Sequence, residues 1–520
     1  MSLFRAAATV SSLTLLSRIT GLVRDIVIAR AFGASALTDA FWVAFRIPNL
    51  LRRLFAEGAF TQAFVPILAE VKQTSNDQAA VRQTVDRVAM ALFSALTLVT
   101  IVGVIGAPLV VIAIASGLSA AERSAEYEAA IWMTRVMFPY IVCMSLVSFA
   151  SGVLNTWKRF AVPAVTPVLL NLSMIGASVW LSAYVSQPIY ALAIGVVIGG
   201  VAQLAVQWWA ISRLGLRPRL TSPVDALSDN TVRRIMRQML PATLGVSVAQ
   251  ISILINTNIA TWLTPGSVTW LSFADRLMEF PTALIGVALG TVLLPTLSKA
   301  HANQAHEEYS RLLGWGMRLV FLMGLPAAMA MIVLADGMVA TLFQYGAFDA
   351  NDVYQTQLAV MAYAVGLLGL LLVKILAPGF YGKQDIKTPV KIAILVLILT
   401  QVLNLGLVPV LAHAGLALAI GLGACINALA LYIGLRRRKL YQPQSGWWPF
   451  LARVILGLAV MTSAMIFIGG DIQWTEPSLS IAHRAGWLAL TLSGGIASYL
   501  ATLWILGMRL ADLRRAQPSD

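Results

Sequence analysis

An all-α polytopic membrane protein is the fold class that the sequence predicts, on three observations. The 520 residues are 58% hydrophobic and only 12% charged, with a mean hydropathy of +0.79, which lies outside the range of soluble domains. Apolar runs close to the ~20 residues that cross a bilayer recur along the whole chain and leave no room for a soluble domain. These runs are too long and too uniformly apolar for barrel strands, so their backbone groups must be satisfied within helices.

About 14 transmembrane helices are expected. The first, 8–31, follows Met-Ser-Leu-Phe-Arg as a cleaved leader would, but Arg18 and Arg24 interrupt the apolar core that a leader needs, so it reads as a retained helix. The second, 37–68, contains the charged stretch RIPNLLRRLFAEGAF. Plain apolar runs follow at 89–115, 129–154, 161–184 and 189–211, the last with Gly195 and Gly199 spaced for close helix packing. The seventh and eighth are 238–263 and 267–297; the latter carries ADRLMEF and a second such pair, Gly286 and Gly290. The remaining six are 312–335, 355–380, 390–411, 415–435, 448–469 and 485–508. Cys143 and Cys425 both fall inside spans, so neither a disulfide framework nor a metal-ligand cluster is expected.

Assigning loops alternately to the two sides sorts the basic residues sharply. One side takes nearly all the loop lysines and arginines, and the other takes only Arg123 and Arg484. By the positive-inside rule the rich side is cytoplasmic, which puts both termini there and makes the number of spans even. The net charge of +14 is therefore mainly a topology signal. Scattered over short loops, these residues do not form a nucleic-acid footprint, and no nucleic-acid partner is expected.

An internal repeat is visible. AFVPILAEVKQ (63–73) lies over VLLPTLSKAHA (292–302), with Pro66 on Pro295, and the same shift lays AFWVAFRIPNLL over TWLSFADRLMEF. NTWKRFAVPAV (155–165) resembles YGKQDIKTPVK (381–391). Chance likeness of apolar runs is the bland alternative. The repeat predicts two six-helix lobes, 1–220 and 221–440, followed by helices 13 and 14 with a cytoplasmic tail, 441–520. Related segments start on the same side of the membrane, so the lobes would be related by an axis along its normal, with a site between them.

Basic residues inside or at the ends of spans are Arg18, Arg24, Arg30, Arg46, Arg52, Arg53, Arg135, Arg276, Arg318, Lys374 and Arg453. At a helix centre each costs roughly 2.5–3.5 kcal/mol, and less near the ends, where long side chains snorkel. Arg318 and Arg453 fit such anchors. Helices 1, 2 and 8 differ because their charges are numerous and lie well inside. Arg18 and Asp25 are seven apart and share a face; Asn49 precedes Arg52 and Arg53, and Arg53 and Glu57 are placed to pair; Asp275 and Glu279 flank Arg276. Helices 1 and 2 hold six arginines against Asp25, Asp39 and Glu57, so positive charge is left over. That surplus is expected to line a central cationic cavity, where the planar forks of Arg46, Arg52 and Arg53 suit a phosphate-bearing substrate. A structural ion-pair network is the alternative.

There is no Walker loop, zinc-protease motif or nucleophile elbow, so neither a nucleotide motor nor an enzyme is expected and no catalytic residue is assigned. His301, His306, His413 and His483 fall in loops or at helix ends and make poor metal ligands, so no metal site or cofactor is expected. The energy for transport would come from the membrane potential, a monovalent cation gradient or consumption of product. A potential contributes about 2.3 kcal/mol per charge per 100 mV.

The blocks SRITGLVRDIVIARAFGASALTDAFWVAFRIPNLLRRLFAEGAFTQAFVPILAE, GVSVAQISILINT, ADRLMEFP, GVALGTVLLPTLSK and LAPGFYGKQDIKTPVKIAI resemble the MurJ (MviN) family of lipid II flippases, over nearly the whole chain. That family belongs to the multidrug/oligosaccharidyl-lipid/polysaccharide exporter superfamily. The resemblance implies two six-helix lobes and two appended helices bordering a groove, in the bacterial inner membrane. It implies flipping of the undecaprenyl-diphosphate-linked precursor lipid II to the outer leaflet by alternating access, with contacts to the cell-wall synthesis machinery. By motif, the family's essential arginines fall on Arg18, Arg24, Arg52 and Arg276, which would engage the diphosphate; Asp39 and Glu279 match other sensitive positions that would shape or gate the cavity. Arg46 stands where lysine is common and Thr269 where serine occurs. Export of drugs or of another lipid-linked oligosaccharide, and a non-transporting scaffold role, stay open at this point; the basic cavity disfavours exporters of cationic drugs.

Overall fold

The computed structural model describes residues 3–52, 60–74, 78–120, 123–219, 221–476 and 478–509, and these are helical, with no strand among the described residues. Packing divides the chain into two compact units, Met1–Thr269 and Trp270–Asp520. The repeat placed its seam at 220/221; the difference is the helix Asn230–Thr261, which packs within the first unit.

The first unit contains α1 (Leu3–Phe32), α2 (Ala36–Arg52), α3 (Phe60–Thr74), α4 (Gln78–Ile105), α5 (Ala107–Ile114), α6 (Ser124–Met137), α7 (Tyr140–Thr156), α8 (Ala161–Val179), α9 (Tyr190–Ser212), α10 (Pro223–Ser228) and α11 (Asn230–Thr261). Gly33, at φ 59°, ends α1, and the Ser35 hydroxyl accepts the Thr38 N–H to open α2. The predicted span 89–115 is two helices that break at Gly106, before Pro108, and 129–154 is two that break at Phe138–Pro139. Gly195 and Gly199 act as their spacing predicts. An added Cβ would lie 2.7 Å from Ala177 Cβ at the first and 2.9 Å from Leu170 Cα at the second, so α9 approaches α8 at backbone distance. Arg234 of α11 donates through both ends of its fork to Glu70 of α3, at 3.0 and 2.9 Å, and holds that carboxyl below its ordinary range. The pair is half exposed, so it positions α11 more than it stabilises it.

The second unit contains α12 (Ser267–Ala302, whose first turn carries the break), α13 (His306–Val333), α14 (Ala335–Phe343), α15 (Ala350–Leu376), α16 (Pro378–Tyr381), α17 (Lys387–Arg437), α18 (Trp447–Gly469) and α19 (Ile481–Ile505). At 51 residues α17 would run about 76 Å if straight, over twice a bilayer core, and it is interrupted at Ala412 (φ 48°, ψ −128°). This break separates the predicted spans 390–411 and 415–435. Beside it His413 is buried, with Nε2 2.8 Å from the Gln355 carbonyl and its ring against Trp270, whose Nε1 donates to Asp352.

The tightest contact in this unit is α15 on α17. A Cβ at Gly366 would lie 2.1 Å from Gly421 Cα, and one at Gly369 would lie 2.5 Å from the Cys425 nitrogen. Backbone cannot yield as a flexible side chain does. Gly366→Leu is therefore expected to force the two helices apart at a cost on the order of 3 kcal/mol or more. Fluorescence-detected size exclusion of a tagged protein should show loss of the monodisperse peak; an unchanged peak and melting temperature would show that the helices can part cheaply.

Among the described residues nine helices are long and apolar enough to span a membrane, and they cover ten of the predicted spans because α17 accounts for two. The other four, spans 1, 2, 7 and 8, are helical as α1, α2 with α3, α11 and α12, and they carry several charged or amide side chains each. Buried polar groups of α11 include Gln250, Asn256, Thr257 and Thr261.

Candidate functional site

In the first unit the polar centre is built on α1 and α8. Arg24 is 5% exposed and donates through Nε and Nη2 to Asp25 Oδ1 at 2.9 and 2.7 Å. Its third nitrogen donates to Asn171 Oδ1 of α8 at 3.1 Å. The Asn171 amide in turn donates to the Ser17 carbonyl and the Thr20 hydroxyl, each at 3.1 Å. Gly21 faces that amide, 3.6 Å from where a Cβ would sit, an ordinary contact distance. A charge inside an apolar helix must have its donors filled, and here one carboxylate and one amide fill them. The face shared by Arg18 and Asp25 does not produce a pair: Asp25 takes the neighbouring Arg24, while Arg18 is exposed and makes no ion pair among the described residues.

Asp39 has a different role from the arginines. It is 4% exposed and accepts three hydrogen bonds: from Gly266 N at 2.7 Å, Thr269 N at 2.8 Å and the Thr269 hydroxyl at 2.6 Å. Gly266 reaches this turn at φ 99°, open to glycine without strain. A carboxylate set against the first N–H groups of a helix neutralises its positive end, so Asp39 fixes the turn that opens α12. Arg46 and Asn49 lie further along α2, both partly buried. Arg52 ends that helix; its side chain, and Arg53 and Glu57 altogether, lie outside the described residues.

In the second unit the centre is one side of α12. Arg276 pairs with Glu279 at 2.9 Å, both about one third exposed, and Asp275 is partly buried beside them. The same side continues through Thr282 to Gly286. Lys374 of α15 donates to the Thr282 carbonyl at 2.9 Å, and its methylene stem fills the space that a side chain at Gly286 would occupy, 2.4 Å from the Cβ position. So Arg276 pairs with Glu279, one turn on, and each unit holds an arginine–carboxylate pair in a span that also carries amides or hydroxyls.

Asn171 and Lys374 belong to these centres, yet their sequence signals were weak. Asn171 is one amide in an apolar run, 147 residues from its partner. Lys374 stood out as a charge within a span, but nothing local marked Thr282 as its acceptor. A further buried network, Gln207 with Ser151 and Thr166, and Gln203 with the Thr166 carbonyl, ties α7, α8 and α9 and was also not foreseen. Arg123 and Arg484 prove to be helix caps. Arg123 donates to the Thr261 and Leu263 carbonyls at the end of α11, at 2.7 and 2.8 Å; buried Arg484 donates to the Ala340 carbonyl of α14 and to that of Glu476.

Two helical units with ion pairs set inside otherwise apolar spans define a polytopic membrane transporter. The family model described as "Lipid II flippase MurJ" matches residues 28–481. A Burkholderia cenocepacia protein named lipid II flippase MurJ is 51% identical over 516 residues, covering 99% of each chain. A probable lipid II flippase MurJ of Vibrio cholerae is 40% identical, covering 99% of this chain and 98% of its own. Among solved structures, a lipid II flippase MurJ in an inward closed conformation superposes with a TM-score of 0.80 at 22% identity, covering 97% and 99% of the two chains. An inward-facing multidrug transporter of the MATE family does so at 0.68 and 15%, covering 83% and 98%; both are likenesses of fold. This chain belongs to the MurJ family.

Proposed function

We propose that the chain flips lipid II from the inner to the outer leaflet of the bacterial cytoplasmic membrane for peptidoglycan synthesis. The observation that carries this is the 51% identity, end to end, with a protein named for that activity. The diphosphate of lipid II would be held by Arg18, Arg24, Arg52 and Arg276, with Arg53 and Asn49 beside it. Their carboxylate partners give the binding step a physical form. Arg276 rests on Glu279 and Arg24 on Asp25. A phosphate can take a guanidinium fork through two oxygens and carries more charge than a carboxylate, so substrate can replace a carboxylate without leaving an arginine bare. The Arg276–Glu279 pair, partly open to solvent, is the easier of the two to exchange.

The site would open to the two sides in turn, driven by the membrane potential or a monovalent cation, with both termini cytoplasmic and with contacts to the cell-wall synthesis machinery. No step of covalent chemistry is required. The test is lipid II exposure on the outer face of cells depleted of their own flippase and supplied with this chain. Wild type is expected to restore exposure and Arg276→Ala to fail at normal membrane levels. Failure of the wild type would transfer the proposal to another lipid-linked substrate, and equal rescue by the variant would make the pair structural.

A further inference from the structure

Two cavities of the first unit meet at Arg219. One is an apolar groove of about 400 Å³, lined by Met90 and Phe93 of α4, Leu146 of α7, Val201 and Trp208 of α9, and Arg219 from the segment after α9. The other is a polar cavity of about 460 Å³, lined by Arg82, Asp86 and Arg87 of α4 with Arg219, Thr221 and Asp225. The segment between is fixed on α4 by groups other than the Arg219 side chain: Asp86 Oδ1 accepts the Arg219 backbone N–H at 2.8 Å, and Arg82 donates to the Gly215 carbonyl at 2.7 Å. The exposed Arg219 guanidinium has no hydrogen-bond or ion-pair partner among the described residues.

The groove opens on surfaces of α4 and α9 where Phe93 and Val201 stand exposed, as lipid-facing side chains do. Its Trp208 lies in the last turn and a half of α9, and Arg213 stacks over the adjoining Trp209 at 4.1 Å, an aromatic and basic pair of the kind found where a helix leaves the bilayer. Around the polar cavity Arg82, Arg87 and Arg219 are matched by Asp86, Asp225 and Asp229, and Arg213 and Arg217 leave a positive surplus. An apolar slot that ends at an unengaged arginine and continues into a polar cavity has the sequence of chemistry of a glycerophospholipid: acyl chain, phosphate, headgroup.

We propose that this is a site for one anionic phospholipid of the leaflet on the side of the basic loops, with an acyl chain in the groove, its phosphate on Arg219 and its headgroup in the polar cavity. The site is separate from the arginine pairs assigned to substrate and stands whether or not that assignment does.

The experiment is native mass spectrometry of the full chain released from phosphatidylcholine nanodiscs with and without phosphatidylglycerol. Wild type is expected to retain one phosphatidylglycerol in preference to phosphatidylcholine. Arg219→Ala, which keeps the backbone bond to Asp86, is expected to lower that preference about fivefold. Ala205→Phe, which fills the groove from an exposed position, is expected to remove the adduct. Equal retention of both lipids by wild type, or a preference that neither variant changes, would overturn the proposal. So would a lipid-free wild-type dimer that Ala205→Phe dissociates, which would assign the groove to a second copy of the chain.

Discussion

Arg24→Ala is expected to lower the stability of the purified protein by about 3–5 kcal/mol, because buried Asp25 loses the guanidinium that donates to it twice. Loss of activity in that variant alone would therefore say little. The double variant Arg24→Ala, Asp25→Ala removes both charges, and replacing a whole buried pair is often neutral in stability. It is expected to regain the wild-type melting temperature and membrane level while lipid II export stays absent. Recovery of export along with stability would show that Arg24 serves packing only. Asn171→Ala provides a third comparison: it removes the amide that holds Arg24 and bridges α1 to α8, so a partial loss on both measurements is expected.

Asp39→Ala is expected to act at the turn opening α12, with a loss of roughly 3 kcal/mol, since hydrogen bonds to a charged group contribute about 1.5–3 kcal/mol each and three are lost together without full additivity. Asn is not a neutral replacement. Its single oxygen can serve Thr269 or Gly266 but not both, and the amide group would then face another N–H, so Asp39→Asn should recover less than half of the loss. Glu at this position keeps the charge but lengthens the arm and is expected to fall between the two. Limited proteolysis around 264–266 together with thermal unfolding would measure this. Resistance equal to wild type in Asp39→Ala would mean that the turn is held by its own backbone.

The helical class and the apolar spans were legible because bilayer crossing imposes length and composition on each span separately, with no need to know its neighbours. Boundaries were less so. Span 89–115 was placed by hydropathy alone, whereas α4 starts at Gln78 and runs through the polar stretch RQTVDR, which hydropathy excludes. The charges that form the two centres were also visible, since an arginine in an apolar run is costly wherever it points. Their partners were not. Residue spacing suggested Arg18 with Asp25, but α8 approaches on the Gly21 side of α1 and sets the geometry around Arg24 through Asn171. Neither the approach nor the amide leaves a periodic mark in α1. Lys374 and Thr282 are hidden for the same reason: a backbone carbonyl accepts the ammonium, and no residue type announces it.

The caps made by Arg123 and Arg484 bear on how the chain comes to lie one way up. With the orientation proposed above, these two are the cations carried across the membrane during insertion, and each ends on two backbone carbonyls, one of them helical, rather than in free solution. The far face then presents almost no mobile positive charge, so nothing there competes with the basic loops that retain the near face. In that orientation biogenesis and folding make separate demands on the same residue type at separate addresses: the arginines that the insertion machinery counts would lie on one side, and the two on the other would be engaged by backbone carbonyls once the helices pack.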